Sequence, residues 1–237
     1  MTAFVRALNV HDQESSTSEA KESNAKKGLS VDEIFGNLFV INFAGHDTTA
    51  NTLAFSMLLL AAHPKVQAWI SEEIMVVTNN RPVEEWDYKE FFPQLKRCHA
   101  VLLETLRIFP PIMALPKWTA QRAQTLMVGD RMLTIPPGVT TVPYSRAVQS
   151  HPKYWPDPYT WMPSRWIIHS SPKNDVFGEE LLIPKRYTYF PWSDGPQNCP
   201  GRKFSEVEAV AVLACLFHSH RLDVKREAGE SETARRT

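Results

Sequence analysis

The stretch Phe190-Pro-Trp-Ser-Asp-Gly-Pro-Gln-Asn-Cys-Pro-Gly-Arg202 decides how this chain is interpreted, because it holds one cysteine in a turn-rich loop. Gly195 and Gly201 permit sharp backbone bends and the close approach of a flat ligand, and the prolines stiffen the loop. A helix is predicted over 204–217, and its positive end favours a thiolate over a thiol. A thiolate held in this way can be a nucleophile, a redox thiol or the single axial ligand of a haem iron.

The bulk composition disfavours several classes of protein. The chain has 237 residues, of which 43% are hydrophobic, so it can bury a sizeable core as one domain or two. The 26 basic and 26 acidic residues give a formal net charge of zero, and no nucleic acid partner is expected. Three cysteines without a Cys-x-x-Cys pair argue against structural zinc and disulfides. No signal peptide is recognised and polar residues interrupt the apolar runs, so no membrane span is expected in this chain.

Two of the three chemistries open to Cys199 have little support elsewhere in the sequence. A cysteine protease needs a histidine that activates its cysteine nucleophile. None of the eight histidines stands in a sequence motif typical of that role. A helical binding module that uses Cys199 as a redox thiol remains an alternative. Neither a Gly-Lys-Ser/Thr phosphate loop nor a Gly-x-Gly-x-x-Gly fingerprint is present, so nucleotide binding is not expected.

Turn signals and composition predict a mainly α chain with a small β element. Residues 11–27 are polar, and residues 1–28 are predicted to be a flexible loop that leads into the first helix. Residues 29–224 are predicted to form the folded region, and residues 225–237 a charged tail. Prolines and tryptophans concentrate between residues 109 and 200, which predicts a long irregular segment stiffened by proline.

Helix signals are strongest near the start of the folded region. Ser30 and Glu33 form a capping box, and the helix that begins there is predicted to end near Ala62, before His63 and Pro64. A second helix is predicted over about 65–77 and a third ending near Arg107. A hairpin is predicted over 125–135, with its turn at Gly129 and Asp130.

Within the first predicted helix, Ala44-Gly-His-Asp-Thr-Thr-Ala50 combines a glycine with competing polar side chains. Glycine inside a helix costs about 1 kcal/mol relative to alanine. The side chains of Asp47 and Thr48 can compete for backbone hydrogen bonds and open the helix locally. The opening would form a groove beside a short relay of acid and hydroxyl groups. The alternative is a kink whose polar side chains face solvent.

Glu104 and Arg107 lie three residues apart, on one face of the third predicted helix. Their neighbours are apolar, which predicts that the ion pair is buried and needs further partners. Arg165, in Trp161-Met-Pro-Ser-Arg-Trp166, is the predicted third member. The role of this triad is structural rather than catalytic.

These stretches together resemble the cytochrome P450 family of haem-thiolate monooxygenases. Four motifs stand in the order that the family has, and the match runs from about residue 28 to 217. The resemblance implies the C-terminal portion of the P450 fold, and the sequence of the cysteine stretch is most like that of fungal members. The motifs are Ala44-Gly-His-Asp-Thr48, Glu104-Thr-Leu-Arg107, Pro163-Ser-Arg-Trp166 and Gly195-Pro-Gln-Asn-Cys-Pro-Gly201.

The resemblance assigns roles to individual residues. Cys199 is expected to be the axial thiolate ligand of haem b, that is, iron protoporphyrin IX. Asp47 and Thr48 are expected to deliver protons on the distal side, where Ala44 and Gly45 would form the groove over the ring. The triad of Glu104, Arg107 and Arg165 would lock the chain behind the cysteine. The expected substrate contacts are Phe43, Ile112, Met113 and Ala114.

Three positions near the expected haem depart from the usual family pattern. Gln197 stands where the family usually has an arginine that pairs with a haem propionate. Lys117 stands where many members place another such arginine, and it supplies a point charge without a bidentate fork. Trp192 replaces the more usual phenylalanine and is expected, with Gly201, to pack near the ring.

The resemblance also implies an activity and partners. The expected reaction inserts one atom of dioxygen into a small lipophilic substrate, with electrons from NADPH through a reductase. A full-length eukaryotic member is expected at the endoplasmic reticulum membrane, whereas a chain without an anchor would be cytoplasmic. The family normally carries a long portion before the distal helix. The alternative is therefore a truncated, non-catalytic remnant or a gene-model fragment that cannot hold haem alone.

Overall fold

The structure is a computed structural model that describes residues 29–170 and 175–225. The flexible loop predicted over 1–28, and the predicted tail beyond residue 225, lie outside the described residues. Short 3₁₀ turns connect several of the helices, and they span Val83–Glu85, Phe92–Gln94, Pro163–Trp166 and Val176–Gly178. The helices are α1 (Val31–Ala62), α2 (Pro64–Thr78), α3 (Tyr88–Phe91), α4 (Lys96–Ile108), α5 (Ser145–Gln149) and α6 (Arg202–Ser219).

The described strands form three antiparallel pairs. Strand β2 (Gln124–Val128) pairs with β3 (Arg131–Ile135), from Gln124 opposite Ile135 to Val128 opposite Arg131. Gly129 turns this hairpin with a φ of 60°, a left-handed conformation that glycine adopts readily. The predicted hairpin and the mainly α character with a small β element are confirmed. The other pairs are β1 (Lys117–Trp118) with β4 (Thr140–Thr141), and β5 (Ile167–His169) with β6 (Glu179–Leu181).

Helix α1 begins at the predicted capping box. The Glu33 backbone N–H donates to the Ser30 hydroxyl, and the Ser30 backbone N–H and hydroxyl both donate to the Glu33 carboxylate, at 2.8 and 2.9 Å. These hydrogen bonds lower the pKa of Glu33. The helix ends at Ala62, and Pro64 opens α2, because proline fits the first turn of a helix but not its interior.

The chain divides into two compact units, residues 1–48 and residues 49–237. The division falls inside α1, just after the stretch of Ala44 to Thr48. In the first unit the described residues belong to α1, apart from the two residues that precede it. The rings of Phe39 and Phe43 stack there, with their centroids 5.9 Å apart.

The second unit has its core where α2, α4 and α6 pack together. Helix α4 is buried along nearly its whole length, and it also packs against the Pro163–Trp166 turn that carries Arg165. This arrangement brings the triad and the chain leading to Cys199 to the same helix. Fully buried members of the core include Leu60, Ile70, Ile74, Val101, Val210 and Leu213.

Among the described residues, no single helix is both long and apolar enough to cross a membrane. Helices α1 and α2 meet that requirement only when taken as a pair across the sharp bend at His63.

Candidate functional site

Cys199 is exposed, and the loop that carries it is held by its own backbone. The Cys199 N–H donates to the Trp192 carbonyl at 2.8 Å, and the Asn198 N–H donates to the Gly195 carbonyl at 3.2 Å. Gly195 has a φ of 87°, which a side chain would strain. A Cβ at Gly201 would lie 3.8 Å from the Cys199 sulfur, at ordinary van der Waals distance, so Gly201 is a direct neighbour of the sulfur. The loop therefore presents one thiol on a constrained backbone.

The cysteine loop, residues 190–202, is fastened to the first turn of α6. The Trp192 indole N–H donates to the Ser205 hydroxyl at 2.9 Å, and that hydroxyl donates to the Arg202 carbonyl. The Arg202 guanidinium lies over the Trp192 ring, 5.1 Å from its centroid. Trp192 thus contacts α6 through its side chain and Cys199 through its carbonyl.

The predicted triad residues meet in the structure. Arg107 donates to both Glu104 carboxylate oxygens, at 2.8 and 2.9 Å, and the side chains of both residues are completely buried. Arg165 donates to the same carboxylate at 2.9 Å. The Met162 backbone N–H and the Trp166 indole N–H supply two more hydrogen bonds, each 2.9 Å long. Glu104 is therefore fully paired, which a buried charge requires.

The arginines of the triad bind backbone carbonyls of the segment that precedes the cysteine loop. Arg107 donates to the carbonyls of Gln149, Pro158 and Thr160. Arg165 also donates to the carbonyls of Pro156, Asp157 and Thr160. The path of the chain from α5 to the Pro163–Trp166 turn is thus set by two guanidinium groups.

Sequence reasoning missed Gln149 and Trp166 as members of this network. The Gln149 amide donates to the carbonyls of Leu106 and Arg107 and accepts from the Phe190 N–H, so it joins the end of α4 to the start of the cysteine loop. A glutamine in a short helix gives no signal of such a role. Trp166 directly follows Arg165, and its buried indole N–H needs an acceptor, which is a signal that could have found it.

A second buried ionic cluster, also missed, lies at the start of α4. Glu73 accepts the backbone N–H groups of Arg97 and Cys98, at 2.6 and 3.0 Å. Burial raises the pKa of Glu73 to about 7. The Arg97 guanidinium pairs with Glu179 and Glu72. Burial and the adjacent Glu73 raise the pKa of the Cys98 thiol, so Cys98 is an unreactive core residue.

The other predicted site residues of the second unit are mostly on its surface. Lys117 lies on β1 and Gln197 in the cysteine loop, and both are exposed. Ile112 and Met113 are about half exposed, and the Met113 carbonyl accepts from Ser145. Ala114 forms an isolated bridge with Tyr144.

The predicted distal residues belong to the first unit. Helix α1 is continuous from Ala44 to Thr48, so the local opening predicted at Gly45 is not observed. A helix of this length tolerates one glycine in its interior. The Thr48 hydroxyl donates to the Ala44 carbonyl at 2.7 Å, as expected for a hydroxyl that competes within a helix. The His46 ring and the Asp47 carboxylate lie 3.1 Å apart, and Phe43 is exposed. The distal roles stay predictions.

The donor set suits a group that is held through one thiolate. Within residues 29–170 and 175–225, no cluster of three or more His, Cys, Asp or Glu residues could hold a metal ion by itself. The sulfur of Cys199 is exposed, and the neighbouring Gly201 places no side chain against it. These residues fit a haem better than a multidentate metal site.

Comparison with known proteins identifies the family. The family model described as Cytochrome P450 matches residues 8–236. A cytochrome P450 monooxygenase of Arthrobotrys oligospora is 32% identical over 88% of this chain and 38% of its own length. Cytochrome P450 monooxygenase 124 of Postia placenta is 35% identical over 89% of this chain and 39% of its own length. Thromboxane-A synthase of Rattus norvegicus is 31% identical over 85% of the chain and 34% of its own length.

The match covers nearly all of this chain but only part of the length of each relative. The chain spans about two fifths of the length of the fungal proteins that it matches. Nearly all of the chain, by contrast, lies within the matched family region, and the matched region includes the triad and the cysteine loop. The chain belongs to the cytochrome P450 family.

Proposed function

We propose that this chain carries the haem-ligating portion of a monooxygenase that inserts one atom of dioxygen into a small, lipophilic organic substrate. The observation that carries the proposal is the exposed Cys199 thiol on a backbone-constrained loop, with Gly201 beside the sulfur. The buried triad that holds the preceding chain supports it, because a ligand must be presented in one fixed place. Membership of the P450 family supports the reaction class.

Haem b is the proposed cofactor, and the thiolate of Cys199 would hold its iron. When bound, a thiolate-ligated haem supplies the activation of dioxygen. Gly201 and Trp192 would flank the ring near the thiolate. Lys117 and Gln197 would hold its propionates, the first through charge and the second through a hydrogen bond alone.

The residues of α1 are proposed to handle the protons that the reaction consumes. Thr48 would donate a proton from its hydroxyl once that hydroxyl leaves the Ala44 carbonyl. Asp47 would then resupply the proton to Thr48. Ala44 and Gly45 would allow the ring and small ligands to approach the helix. The apolar residues Phe43, Ile112, Met113 and Ala114 would contact the substrate.

The proposed reaction needs an external source of electrons. One oxygen atom enters a carbon–hydrogen bond of the substrate and the other leaves as water, which consumes two electrons and two protons. We propose NADPH, acting through a reductase, as the donor. We also propose that a longer protein containing this chain acts at the endoplasmic reticulum membrane.

The test is the spectrum of the reduced protein with carbon monoxide, recorded after haem is supplied. It is run on this chain and on a form extended upstream to the length of the fungal relatives. We expect the red-shifted Soret band of thiolate ligation, and we expect Cys199→Ser to abolish it. Cys215→Ser is the matched control, because Cys215 is also an exposed cysteine and lies on α6.

Two results would overturn the proposal. The band could be absent from both forms, or it could persist in Cys199→Ser. A band seen only in the extended form would assign thiolate ligation to the longer protein and favour the alternative that this chain alone cannot hold haem. Haem content that is unchanged in Cys199→Ser would favour the redox-thiol alternative.

A further inference from the structure

His99 is a partly buried titratable side chain that the proposed mechanism does not use. It lies on α4 and its side chain is 17% exposed. Its Nε2 atom is buried and has no hydrogen-bond partner within the described ranges. The ring faces α6, where the Glu206 carboxylate oxygen lies 4.0 Å from Nε2. That distance is too long for a hydrogen bond and short enough for attraction once the ring is protonated.

Glu206 connects His99 to the cysteine loop through a short chain of contacts. The same Glu206 oxygen accepts from Arg202 Nε at 3.0 Å. Arg202 in turn lies over the Trp192 ring, and the Trp192 carbonyl holds the Cys199 N–H. The Glu206 side chain is only 13% exposed, so water screens its interactions weakly. One carboxylate therefore stands between two basic groups, of which only the histidine changes charge near neutral pH.

We propose that His99 and Glu206 form a protonation-dependent clamp on the cysteine loop. Neutral His99 leaves Glu206 paired with Arg202, which keeps the guanidinium over Trp192. Protonated His99 draws the Glu206 carboxylate toward its own Nε2–H and weakens the contact with Arg202. Trp192 is then held less firmly, and the change reaches the backbone amide of Cys199. His99 and Glu206 are positioning residues, because neither touches the sulfur.

The direction of the pH effect follows from the groups around His99. Burial lowers the pKa of His99, Glu206 raises it, and Arg202 and Lys203 lower it, with a net lowering from the ordinary value of 6.5. All three charged side chains belong to α6. The Phe92–Gln94 turn, which also packs on α6, contributes the uncharged ring of Phe92. The clamp is therefore closed at neutral pH and opens only in acid.

The first experiment needs no haem. The full chain is labelled with ¹⁵N, and the His99 ring and the Trp192 indole N–H are followed by NMR between neutral and mildly acidic pH. The indole resonance is assigned by its loss in Trp192→Phe. We expect it to shift with the midpoint of the His99 ring, and we expect His99→Gln to remove that shift.

Substitutions on α6 sharpen the test. Glu206→Gln removes the attraction, so the His99 midpoint should move to lower pH and the Trp192 shift should disappear. Glu208→Gln is the matched control, because it neutralises an exposed carboxylate on the same helix that is not among the charges acting on His99. Glu208→Gln should keep both signals. If His99→Gln fails to fold, the Glu206→Gln and Glu208→Gln pair decides the question.

The consequence for ligation rests on the proposed function, and a second readout separates the two. In haem-loaded protein the ferric Soret band of the wild type should change with the His99 midpoint, and that of His99→Gln should not. A thiolate-type band whose pH dependence is identical in both proteins overturns the clamp and leaves the function intact. Missing thiolate ligation with an intact NMR coupling overturns the function and leaves the clamp. A Trp192 signal that ignores pH, or titrates unchanged in His99→Gln, overturns the clamp.

Discussion

At the scale of single residues, burial separates groups that look alike in the sequence. Cys98 and Cys199 are the same residue type, yet one lies in the core beside a carboxylate and the other on the surface of a stiff loop. Proline, glycine and the following helix signal mark the loop of Cys199, so it could be predicted. Glu73 could not, because nothing next to a glutamate on an ordinary helix indicates that its carboxylate is buried.

Glu73 is expected to make the protein less stable as the pH rises through neutrality. Burial raises the pKa of its carboxyl from 4.5 to about 7, so the folded state holds a proton that the unfolded state releases. Between these values the folded state binds more protons, and the free energy of unfolding therefore falls as the pH rises. The difference across the window is on the order of 3 kcal/mol.

Urea denaturation at about pH 5 and pH 8 measures this effect. Glu73→Gln should lose most of the pH dependence of the wild type, although its amide can accept only one of the two backbone N–H groups well. Glu72→Gln, an exposed neighbour, should keep the wild-type dependence. Equal dependence in the wild type and Glu73→Gln would contradict the assignment.

At the scale of elements, the start of α1 could be predicted from a local signal, whereas the start of α4 could not. The start of α1 is encoded within four residues by Ser30 and Glu33. The start of α4 has no capping side chain of its own at Leu95. Its first amides are bonded instead by Glu73 of α2, more than twenty residues away in the sequence. Local pattern reasoning found where α4 ends but could not find where it begins.

Helix α6 is expected to depend on its contact with α2 and α4. Leu213 is completely buried in the core of the second unit. Leu213→Ala should lower the free energy of unfolding by about 2–5 kcal/mol, because it removes apolar contacts and leaves a cavity. Leu216→Ala is the matched control, since Leu216 is only partly buried on the same helix. Chemical denaturation compares the two, and similar losses would contradict this account of the packing.

At the scale of the whole molecule, the order of the motifs carried the prediction of the family. Four short motifs define the family only when they occur together, and their order survives in a chain that lacks any single decisive signature. The triad shows why two of them belong together: one buried carboxylate joins α4 to the Pro163–Trp166 turn, and Arg107 joins both to α5. The partners on the main chain could not be predicted, because a backbone carbonyl leaves no trace in the sequence.

The buried ion pair is expected to matter far more than an exposed one. Arg107→Lys keeps the charge but loses the fork that binds Glu104 and the carbonyls of the following chain. We expect it to lower the free energy of unfolding by about 3–5 kcal/mol, because buried groups are left unpaired. Arg81→Lys is the control: the side chains of its pair with Glu90 are 37% and 49% exposed, so this substitution should change the free energy of unfolding by less than about 1 kcal/mol. Equal urea midpoints for the two variants would refute this ranking.

Arg107 and Arg165 bind main-chain carbonyls. The side chains of the segment that they hold can therefore be substituted without changing the path of its backbone. Every amino acid carries a carbonyl, so the exposed side chains of Asp157, Tyr159 and Thr160 carry little of the information that shapes the segment. Position 157 is more restricted than 159 and 160, since the φ of 46° at Asp157 favours residues such as asparagine and glycine. A saturation scan read out by folded yield should therefore find tolerance at 159 and 160 and near-invariance at 107. Two arginines would thus fix the backbone path of a segment whose own exposed side chains can be replaced.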